Sequence, residues 1–485
     1  MKAKLPVKAS RVWMGKATDK NGWKLKQSKM SKATDAESSI SERPISPGPR
    51  RLAEWLNPTG TKKVHSLVDK VYKMKNLQLA WKKVKQNDGS GGIDNQSIKE
   101  FEKRVQSNLE KLHEELKTNK YKPQPVLQHK IPKAGQPGKM RKLGIPTVYD
   151  RVCQQALLNR MEPIFEAVFD EGSFGYRKGR LAKDALRKVW KEIQDGNEWI
   201  VDADLEDFFG SADHEKVITL LNQQVSDSKV LMIIKEMLKG GCMTEEGFVP
   251  AETAVVQGGV ISPIISNVLL TPFDKEMRRR GYNLTRYADD WVATCRTRTE
   301  AVEVLQQATR VLTKLGVRLH PSKTRIVHVK EGFEFLGFKI KRGIKKLKLP
   351  GSKIKSKTVE GMLYAYPKDA SIKRFKEQIR SRTTRKAGIS TIQLIQDINP
   401  VIRGWGNYYC KAHVRKLFNQ LRAWILRRIW SHRFKRWRNT GWKRLPEVKL
   451  YYDYGLVNLI YLIPSIKPKE NILMKARCGK TARRV

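Results

Sequence analysis

The chain has 485 residues, 40% of them hydrophobic, which allows about two to four domains with packed cores. Its 97 lysine and arginine residues outnumber its 48 acidic residues and give a formal net charge of +49. This excess is far larger than solubility requires, which disfavours a merely solvated basic surface. It indicates a polyanionic partner, with nucleic acid the leading candidate.

No membrane partner is expected. The basic start, MKAKLPVKASRVWMGK, has no apolar stretch suited to a signal peptide. The longest apolar windows are shorter than the roughly 18–20 residues that span a bilayer. The five cysteines are scattered without CxxC spacing, which predicts neither a zinc site nor a disulfide framework. We therefore expect a reducing compartment, bacterial cytoplasm or an organelle, and not secretion.

The first 120 residues divide into two parts. Residues 1–50 are rich in lysine, serine and proline and predict a flexible basic tail. Residues 51–120 predict a helical extension, because apolar residues recur at helical spacing on both sides of the break NDGSGGIDN. This break lacks the Gly-Lys-Ser/Thr ending of a phosphate-binding loop, so it predicts a plain turn.

Residues 121–345 alternate short strand-like runs with helical ones, which is typical of an α+β or α/β core. Within them EWIVDADLEDFF is strand-like, and its alternation places Ile200, Asp202 and Asp204 on one face.

The segment NLTRYADDWVATC predicts a β-hairpin with its tight turn at Ala288-Asp289. A hairpin tip lets the adjacent carboxylates of Asp289 and Asp290 point at one place, which a straight strand forbids. Two adjacent anions are costly unless a cation lies near them.

The last third is predicted to be mostly helical. A Lys-, Gly- and Ser-rich stretch at 341–358 precedes a helical region that we place at 346–440, and residues 441–485 form a basic C-terminal segment. The strongest helical pattern covers 414–438, where an apolar stripe indicates a core and the basic remainder indicates phosphate contacts. The basic residues expected to bind nucleic acid are Arg422, Arg427, Arg428, Arg433, Lys435 and Arg436.

Two acidic strands far apart in sequence can meet in space and hold two hard cations about 3.5–4 Å apart. Mg²⁺, with Mn²⁺ as a substitute, prefers a few carboxylates together with substrate phosphate oxygens. In a basic chain those phosphates belong to nucleic acid. The residues therefore predict two-metal phosphoryl transfer on a nucleic acid.

Seven motifs in one order resemble the group II intron-encoded reverse transcriptases and maturases. They are RKLGIPTVYDRVCQQALL, SFGYRKGRLAKDAL, VDADLEDFF, QGGVISPIISNVLL, RYADDW, LHPSKT with FEFLGFKI, and INPVIRGWGNYY. The resemblance implies a right-hand polymerase fold with fingers and palm in 121–345 and a helical thumb or maturase domain in 346–440. It also implies RNA-directed DNA synthesis, together with intron RNA binding that assists splicing and retrohoming.

The resemblance assigns the catalytic metal ligands to Asp204, Asp289 and Asp290. Leu205 is expected to offer its backbone carbonyl to the nucleotide metal. Asp202 is treated as a neighbouring acid. Phe209 is expected to lie beneath the sugar and to reject a 2′-hydroxyl, whereas a core aromatic there would affect only stability.

A second group of residues is expected to hold the nucleotide. Lys133 and Arg141 match the basic residues that grip the triphosphate, and Gln257 and Gly258 match a loop where backbone approaches the nucleotide closely. Lys323 is a candidate proton donor to pyrophosphate.

Two departures from the family pattern occur. The loop that usually reads Gly-Thr-Pro-Gln-Gly-Gly is AVVQGG here, and the usual FFD is FFG, with Gly210 replacing an acid that is not a metal ligand. The final KARCGKTARRV carries one cysteine, so no metal-dependent HNH endonuclease is expected. Without an endonuclease, DNA synthesis is expected to start from nicks or primers made elsewhere.

The expected partners are group II intron RNA, an RNA template with a DNA or RNA primer, target DNA and dNTPs. Two alternatives remain open at this point. One is a maturase that assists splicing without polymerase activity, and the other is a domesticated relative that serves host defence or DNA repair. The aromatic residues Trp405, Tyr408 and Tyr409 form either a packing cluster or an RNA surface, with packing favoured.

Overall fold

The computed structural model describes residues 63–132, 138, 140–251, 257–347, 357–385, 388–435 and 441–465. The predicted tail at 1–50 lies outside the described residues. The helices, apart from a 3₁₀ turn at Leu459–Leu462, are α1 Val68–Tyr72, α2 Met74–Asn87, α3 Ile98–Lys103, α4 Val105–Lys117, α5 Val148–Glu166, α6 Ala182–Gln194, α7 His214–Asn222, α8 Ser228–Lys239, α9 Ser262–Arg279, α10 Arg298–Leu315, α11 Asp369–Arg382, α12 Thr391–Tyr409, α13 Arg415–Phe434, α14 Gly441–Arg444 and α15 Glu447–Tyr452.

Twelve strands form three sheets within the described ranges. Their bounds are β1 Val126–Pro132, β2 Met140–Ile145, β3 Trp199–Glu206, β4 Cys242–Thr244, β5 Gly247–Val249, β6 Asn283–Tyr287, β7 Asp290–Cys295, β8 Arg318–Leu319, β9 Arg325–His328, β10 Phe333–Phe335, β11 Phe338–Leu347 and β12 Lys357–Pro367. Helices and strands thus mix along the chain, as the α+β prediction requires. None of the described helices is long and apolar enough to cross a membrane.

The central sheet has the order β6-β7-β3-β8, and β9 also pairs with β3. The strand β3 is antiparallel to each of its partners. Its alternate side chains enter different cores, since Val201 and Ala203 pack into one cluster while Ile200 packs into another. The two faces of this sheet therefore separate the two main cores of the chain.

The first core joins the N-terminal helices to the central sheet. Helix α9 has 18 residues, of which 12 are buried, including the polar Asn267 and Asp274. The apolar run GGVISPIISNVLL explains this burial, because a helix that is apolar all round belongs inside a domain. A smaller sheet of order β2-β1-β4-β5 lies beside this core, with β1 and β2 pairing antiparallel.

The second core joins the sheet β10-β11-β12 to the C-terminal helices. Here the prediction that residues 346–440 are helical is wrong at its start, because 357–367 forms strand β12 and the helix begins at Asp369. The Lys-, Gly- and Ser-rich composition of 341–358 concealed two long paired strands. The predicted helix at 414–438 is present as Arg415–Phe434, and its apolar stripe is buried as expected.

Candidate active site

The acidic pair lies at the tip of the β6–β7 hairpin. Tyr287 pairs with Asp290, so Ala288 and Asp289 form a two-residue turn between the strands. Ala288 has a φ of 60°, which favours glycine and costs about 1 kcal/mol or more for alanine. A strained turn of this kind persists only when neighbouring groups hold it.

Asp204 lies directly opposite Asp290 in the antiparallel pairing of β3 with β7. Residues facing each other in this way have Cβ atoms about 4.5–5.5 Å apart. Asp202 lies two residues earlier on the same face of β3, opposite Val292. The structure thus brings the two acidic segments together across one strand pair.

Burial and mutual repulsion act on these carboxyl groups. Burial, followed by the charges of Asp202, Asp289 and Asp204, raises the pKa of Asp290 to about 7, while a backbone hydrogen bond from Leu336 opposes the shift. Burial and then the charge of Asp204 also raise the pKa of Asp289. Negative charge at this tip is therefore not fully neutralised by the protein, and a cation would favour the ionised forms.

Two cationic side chains approach β3 from the segment after β8. Lys323 forms an ion pair with Asp204, and Arg325 forms one with Asp202 at 2.8 Å. Burial raises the pKa of Asp202, and the hydrogen bond from Arg325 opposes this. Lys323 thus contacts a candidate metal ligand, and its predicted role as proton donor to pyrophosphate stays a prediction.

A buried ionic network holds the hairpin tip from behind. Arg286 is completely buried, and its guanidinium donates to Asp274 on α9, to Asn267 Oδ1 at 3.0 Å and to Ser173 Oγ at 2.8 Å. Its Nη1 also donates to the carbonyl of Ala288 at 2.9 Å. Burial raises the pKa of Asp274, and the charge of Arg286 opposes that rise. The sequence analysis missed this network, although Arg286 directly precedes the Tyr-Ala-Asp-Asp box.

The loop before α6 packs against the same turn. A Cβ added to Gly175 would lie 2.2 Å from the backbone nitrogen of Ala288, so only glycine allows this approach. The next residue, Tyr176, has a φ of 59° and is exposed. Partial desolvation and then the charge of Asp289 raise the pKa of Tyr176, while Arg141 opposes the rise. Tyr176 is thus a site residue that the sequence reasoning did not single out.

Arg141, predicted to grip the triphosphate, lies on strand β2 and is exposed. Its charge lowers the pKa of Asp289, so it acts on the hairpin tip. Lys133 lies outside the described residues. The triphosphate role of both residues stays a prediction.

The predicted nucleotide loop is joined to strand β2. The amide of Gly144 donates to the carbonyl of Gln257 at 2.7 Å. Gly258 has a φ of 113°, and a Cβ there would lie 2.5 Å from the carbonyl oxygen of Gly144. The glycine is therefore required by backbone conformation and by space. The departure Ala254-Val255-Val256 lies outside the described residues.

Three residues discussed in the sequence analysis, Leu205, Phe209 and Gly210, follow Asp204 closely in the chain. The side chain of Leu205 is buried, while Phe209 is half-buried with its ring 5.2 Å from that of Phe208. A Cβ on Gly210 would lie 2.2 Å from a carboxylate oxygen of Asp207. In the FFG segment, the Asp207 carboxylate therefore occupies the space that a side chain at position 210 would need.

The basic residues predicted on the last long helix have different environments. Arg427, Arg433 and Lys435 are exposed, although Lys435 also donates to the carbonyl of Arg385. Arg428 donates to the carbonyl of Thr383 at 2.8 Å. The remaining two are Arg422, which pairs with Glu447 at 3.2 Å, and Arg436, which lies outside the described residues. Their contact with nucleic acid stays a prediction.

The aromatic cluster at the end of α12 is mainly a packing cluster. Trp405 stacks on Phe375 at 4.6 Å between ring centroids, and Tyr409 is buried. Tyr408 is partly exposed and donates to the carbonyl of Leu336 at 2.7 Å. Burial raises the pKa of Tyr408, with smaller contributions from Tyr409, Tyr287 and Asp290.

The acidic residues fit a divalent cation in chemical type and in backbone placement. Carboxylate oxygens are the ligands that Mg²⁺ prefers, and a bound cation would favour the ionised form of Asp290, which burial and the neighbouring carboxylates disfavour. Among the described residues, however, no three Asp, Glu, His or Cys side chains are already gathered as a ligand set. The Asp204 carboxylate is instead paired with Lys323.

Two family models match the chain. One describes a reverse transcriptase (RNA-dependent DNA polymerase) and matches residues 131–340. The other describes the group II intron maturase-specific domain and matches residues 372–448. Together they cover more than half of the chain. The chain therefore contains a reverse transcriptase domain followed by a maturase-specific domain.

Similar proteins agree with this class. YkfC of Escherichia coli strain K12 is 29% identical over 339 residues, which is 61% of this chain and 88% of YkfC. The group II intron-encoded protein LtrA of Lactococcus lactis subsp. cremoris is 27% identical over 392 residues, 64% of each chain. A 91 kDa protein in the cob intron of Schizosaccharomyces pombe is 25% identical over 413 residues, 70% of this chain and 50% of that protein.

The matches thus span less than two thirds of the length of LtrA and of the S. pombe protein. The chain belongs to the group II intron-encoded reverse transcriptases and maturases.

Proposed function

We propose that the chain polymerises DNA by two-metal phosphoryl transfer at Asp204, Asp289 and Asp290. The observation that carries this proposal is the direct pairing of Asp204 with Asp290 across β3 and β7, beside the turn that holds Asp289. Bound divalent ions would supply charge stabilisation of the attacking and leaving oxygens. Leu205 would add its backbone carbonyl to the ligand set.

The protein's own residues orient the reactants. Lys323 pairs with the Asp204 carboxylate before substrate arrives and would then give a proton to departing pyrophosphate. Arg141 adds positive charge near Asp289, where a triphosphate would lie, with Lys133 as its partner in this role. Gln257 and Gly258 present backbone to the nucleotide from a loop fixed to β2. Phe209 excludes a 2′-hydroxyl.

We further propose the right-hand arrangement for these parts. The sheet β2-β1-β4-β5 would belong to the fingers, the central sheet to the palm, and the helices from α11 onward to the thumb and maturase domain. The partners proposed are group II intron RNA, an RNA template with its primer, target DNA and dNTPs, with Mg²⁺ or Mn²⁺ as cofactor. Splicing assistance and retrohoming follow from these partners.

Primer extension on an RNA template tests the polymerase proposal. Wild-type protein should extend the primer with dNTPs and Mg²⁺, and Asp289→Ala should abolish extension while retaining RNA binding. Glu206→Gln is the matched control, because Glu206 is an exposed acid two residues beyond Asp204 on the same strand face. Folded, RNA-binding wild type that does not extend would leave a splicing-only maturase.

A further inference from the structure

An aromatic ladder crosses the surface between the central sheet and the C-terminal helices. It consists of Trp190, His413, Tyr364 and Tyr366, and this set is called the ladder below. The rings of Trp190 and His413 stack at 6.3 Å, and His413 lies edge-on to Tyr364 at 4.8 Å. Tyr364 and Tyr366 stack at 6.0 Å with their planes 14° apart.

The backbone holds the ladder in place. The amide of Ala365 donates to His413 Nδ1 at 3.1 Å, and the amide of His413 donates to the carbonyl of Ala365 at 2.9 Å. Gly343, at a bulge in β11, leaves room for the Tyr364 ring, because a Cβ there would lie 2.5 Å from it. The rings are therefore ordered by contacts from three separate segments.

The outer end of the ladder faces solvent. Tyr366 is 41% exposed, and the neighbouring Met362, on the same face of β12, is 61% exposed. Aromatic and apolar side chains that stay exposed together on one face mark an interaction site. Trp190, at the inner end of the ladder, packs against the second core. Among the described residues, Met362, Tyr364 and Tyr366 belong to neither core, and the proposed polymerase site does not use them.

Charge identifies the partner. Across the antiparallel pair β11–β12, Lys339 lies opposite Tyr366 and Lys341 lies opposite Tyr364, so each outer ring has a lysine beside it. Both lysines are exposed. Glu334, the acid on the neighbouring strand opposite Lys339, is already paired with Lys368 at 2.6 Å. Rings interleaved with cations suit bases and phosphates of an unpaired strand.

We propose that the ladder binds single-stranded nucleic acid, with unpaired bases stacking on Tyr366 and Tyr364 and with Lys339 and Lys341 contacting the phosphates. This surface goes beyond the proposed polymerase site, and its binding can be measured without any polymerisation. RNA and DNA strands share the chemistry that it recognises.

The test measures binding of the full-length protein to labelled 12-nucleotide strands, U12 RNA and dT12 DNA, and to an abasic strand of equal length. Tyr366→Leu should weaken binding to at least one base-bearing strand by about fivefold or more, the range found when a base loses an aromatic partner. It should leave abasic binding unchanged. Tyr366→Phe keeps the ring and should bind as wild type does. The strand that loses more affinity identifies the ligand.

Tyr452→Leu is the matched control, since Tyr452 is equally exposed at 41% and lies outside the ladder. It should bind both strands as wild type does. Photocrosslinking with 5-iodouridine in the RNA strand and 5-iodo-2′-deoxyuridine in the DNA strand should label the peptide that contains Tyr366.

Equal affinities of Tyr366→Leu and Tyr452→Leu for both strands, or an equal loss on the abasic strand, would overturn the proposal. So would a wild-type dimer that Tyr366→Leu dissociates, because the surface would then belong to a second copy of the chain.

Discussion

Arg286 and Asp274 form an ion pair in which the two side chains are 0% and 1% exposed. The same guanidinium donates to the carbonyl of Ala288, the strained residue between the two strands of the acidic hairpin. The buried ion pair therefore helps to fix the backbone of the hairpin tip. The hairpin that carries Asp289 and Asp290 is held by helix α9 as well as by its own strands.

Replacing Arg286 with methionine is expected to destabilise the protein by about 3–5 kcal/mol, because Asp274 is left buried without its partner. The midpoint of urea unfolding, followed by tryptophan fluorescence, measures this loss. Arg279→Met is the matched control, because the Arg279 side chain is 69% exposed and pairs with Glu276 on the same helix. Such surface pairs contribute about 0–1 kcal/mol. Equal shifts of the unfolding midpoint in both variants would show that the buried ion pair contributes no more stability than the surface pair.

Gly258→Ala is expected to lower kcat/KM for dNTPs by roughly tenfold to a hundredfold, because the added Cβ displaces the loop from Gly144 and small displacements at a reacting centre have effects of this size. RNA affinity should not change. Steady-state primer extension at varied dNTP concentration makes the measurement.

The control for this loop is Gly247→Ala. Gly247 also has a positive φ, 126°, but a Cβ there would contact nothing within 4 Å. It shares the conformational strain without the clash. If both variants lose the same activity, strain rather than nucleotide-loop placement explains the result.

Phe209→Val is expected to reduce the preference for dNTPs over rNTPs by about tenfold or more, equivalent to about 1.4 kcal/mol of discrimination in the transition state. A smaller side chain would leave room for the 2′-hydroxyl. The ratio of kcat/KM values for dNTP and rNTP gives the answer. Phe208→Leu is the comparison, because Phe208 is buried and should affect stability alone. An unchanged ratio in Phe209→Val would make Phe209 an ordinary core aromatic.

RNA binding should weaken steeply with salt, because phosphate contacts release counterions. Arg427→Ala should reduce the slope of log K against log salt by about 1, as expected for one lost phosphate contact. Arg428→Ala should instead lower stability, since Arg428 donates to Thr383. Affinities measured by fluorescence anisotropy between 50 and 200 mM salt, roughly the range where such slopes are clear, separate the two. A slope equal to wild type in Arg427→Ala would remove that residue from the interface.

Local patterns predicted the local parts of the site. The alternation in VDADLE and the sequence NLTRYADDWVATC were sufficient to place β3, the hairpin and its turn at Ala288-Asp289. The exact pairing of Asp204 with Asp290 depends on a strand register between segments that are distant in sequence. Periodicity alone gives the faces of two strands and not their relative position.

Other features escaped prediction for physical reasons. The Arg286–Asp274 pair forms between a strand and a helix, and a buried charge has no sequence pattern beyond its neighbours. Strand β12 was missed because lysine, glycine and serine dominate the stretch before it. The alternation of Met362, Tyr364 and Tyr366 was the available signal for that strand.

The most direct test of the central claim is a count of bound Mn²⁺ by electron paramagnetic resonance. The complex should contain the protein, a template–primer with a chain-terminated primer, and the next dNTP. The account predicts two ions for each wild-type chain and a loss of tight binding in Asp289→Asn, with Glu206→Gln unchanged. The same two ions in Asp289→Asn, or none in the wild type, would contradict the assignment of this acidic hairpin as the metal site.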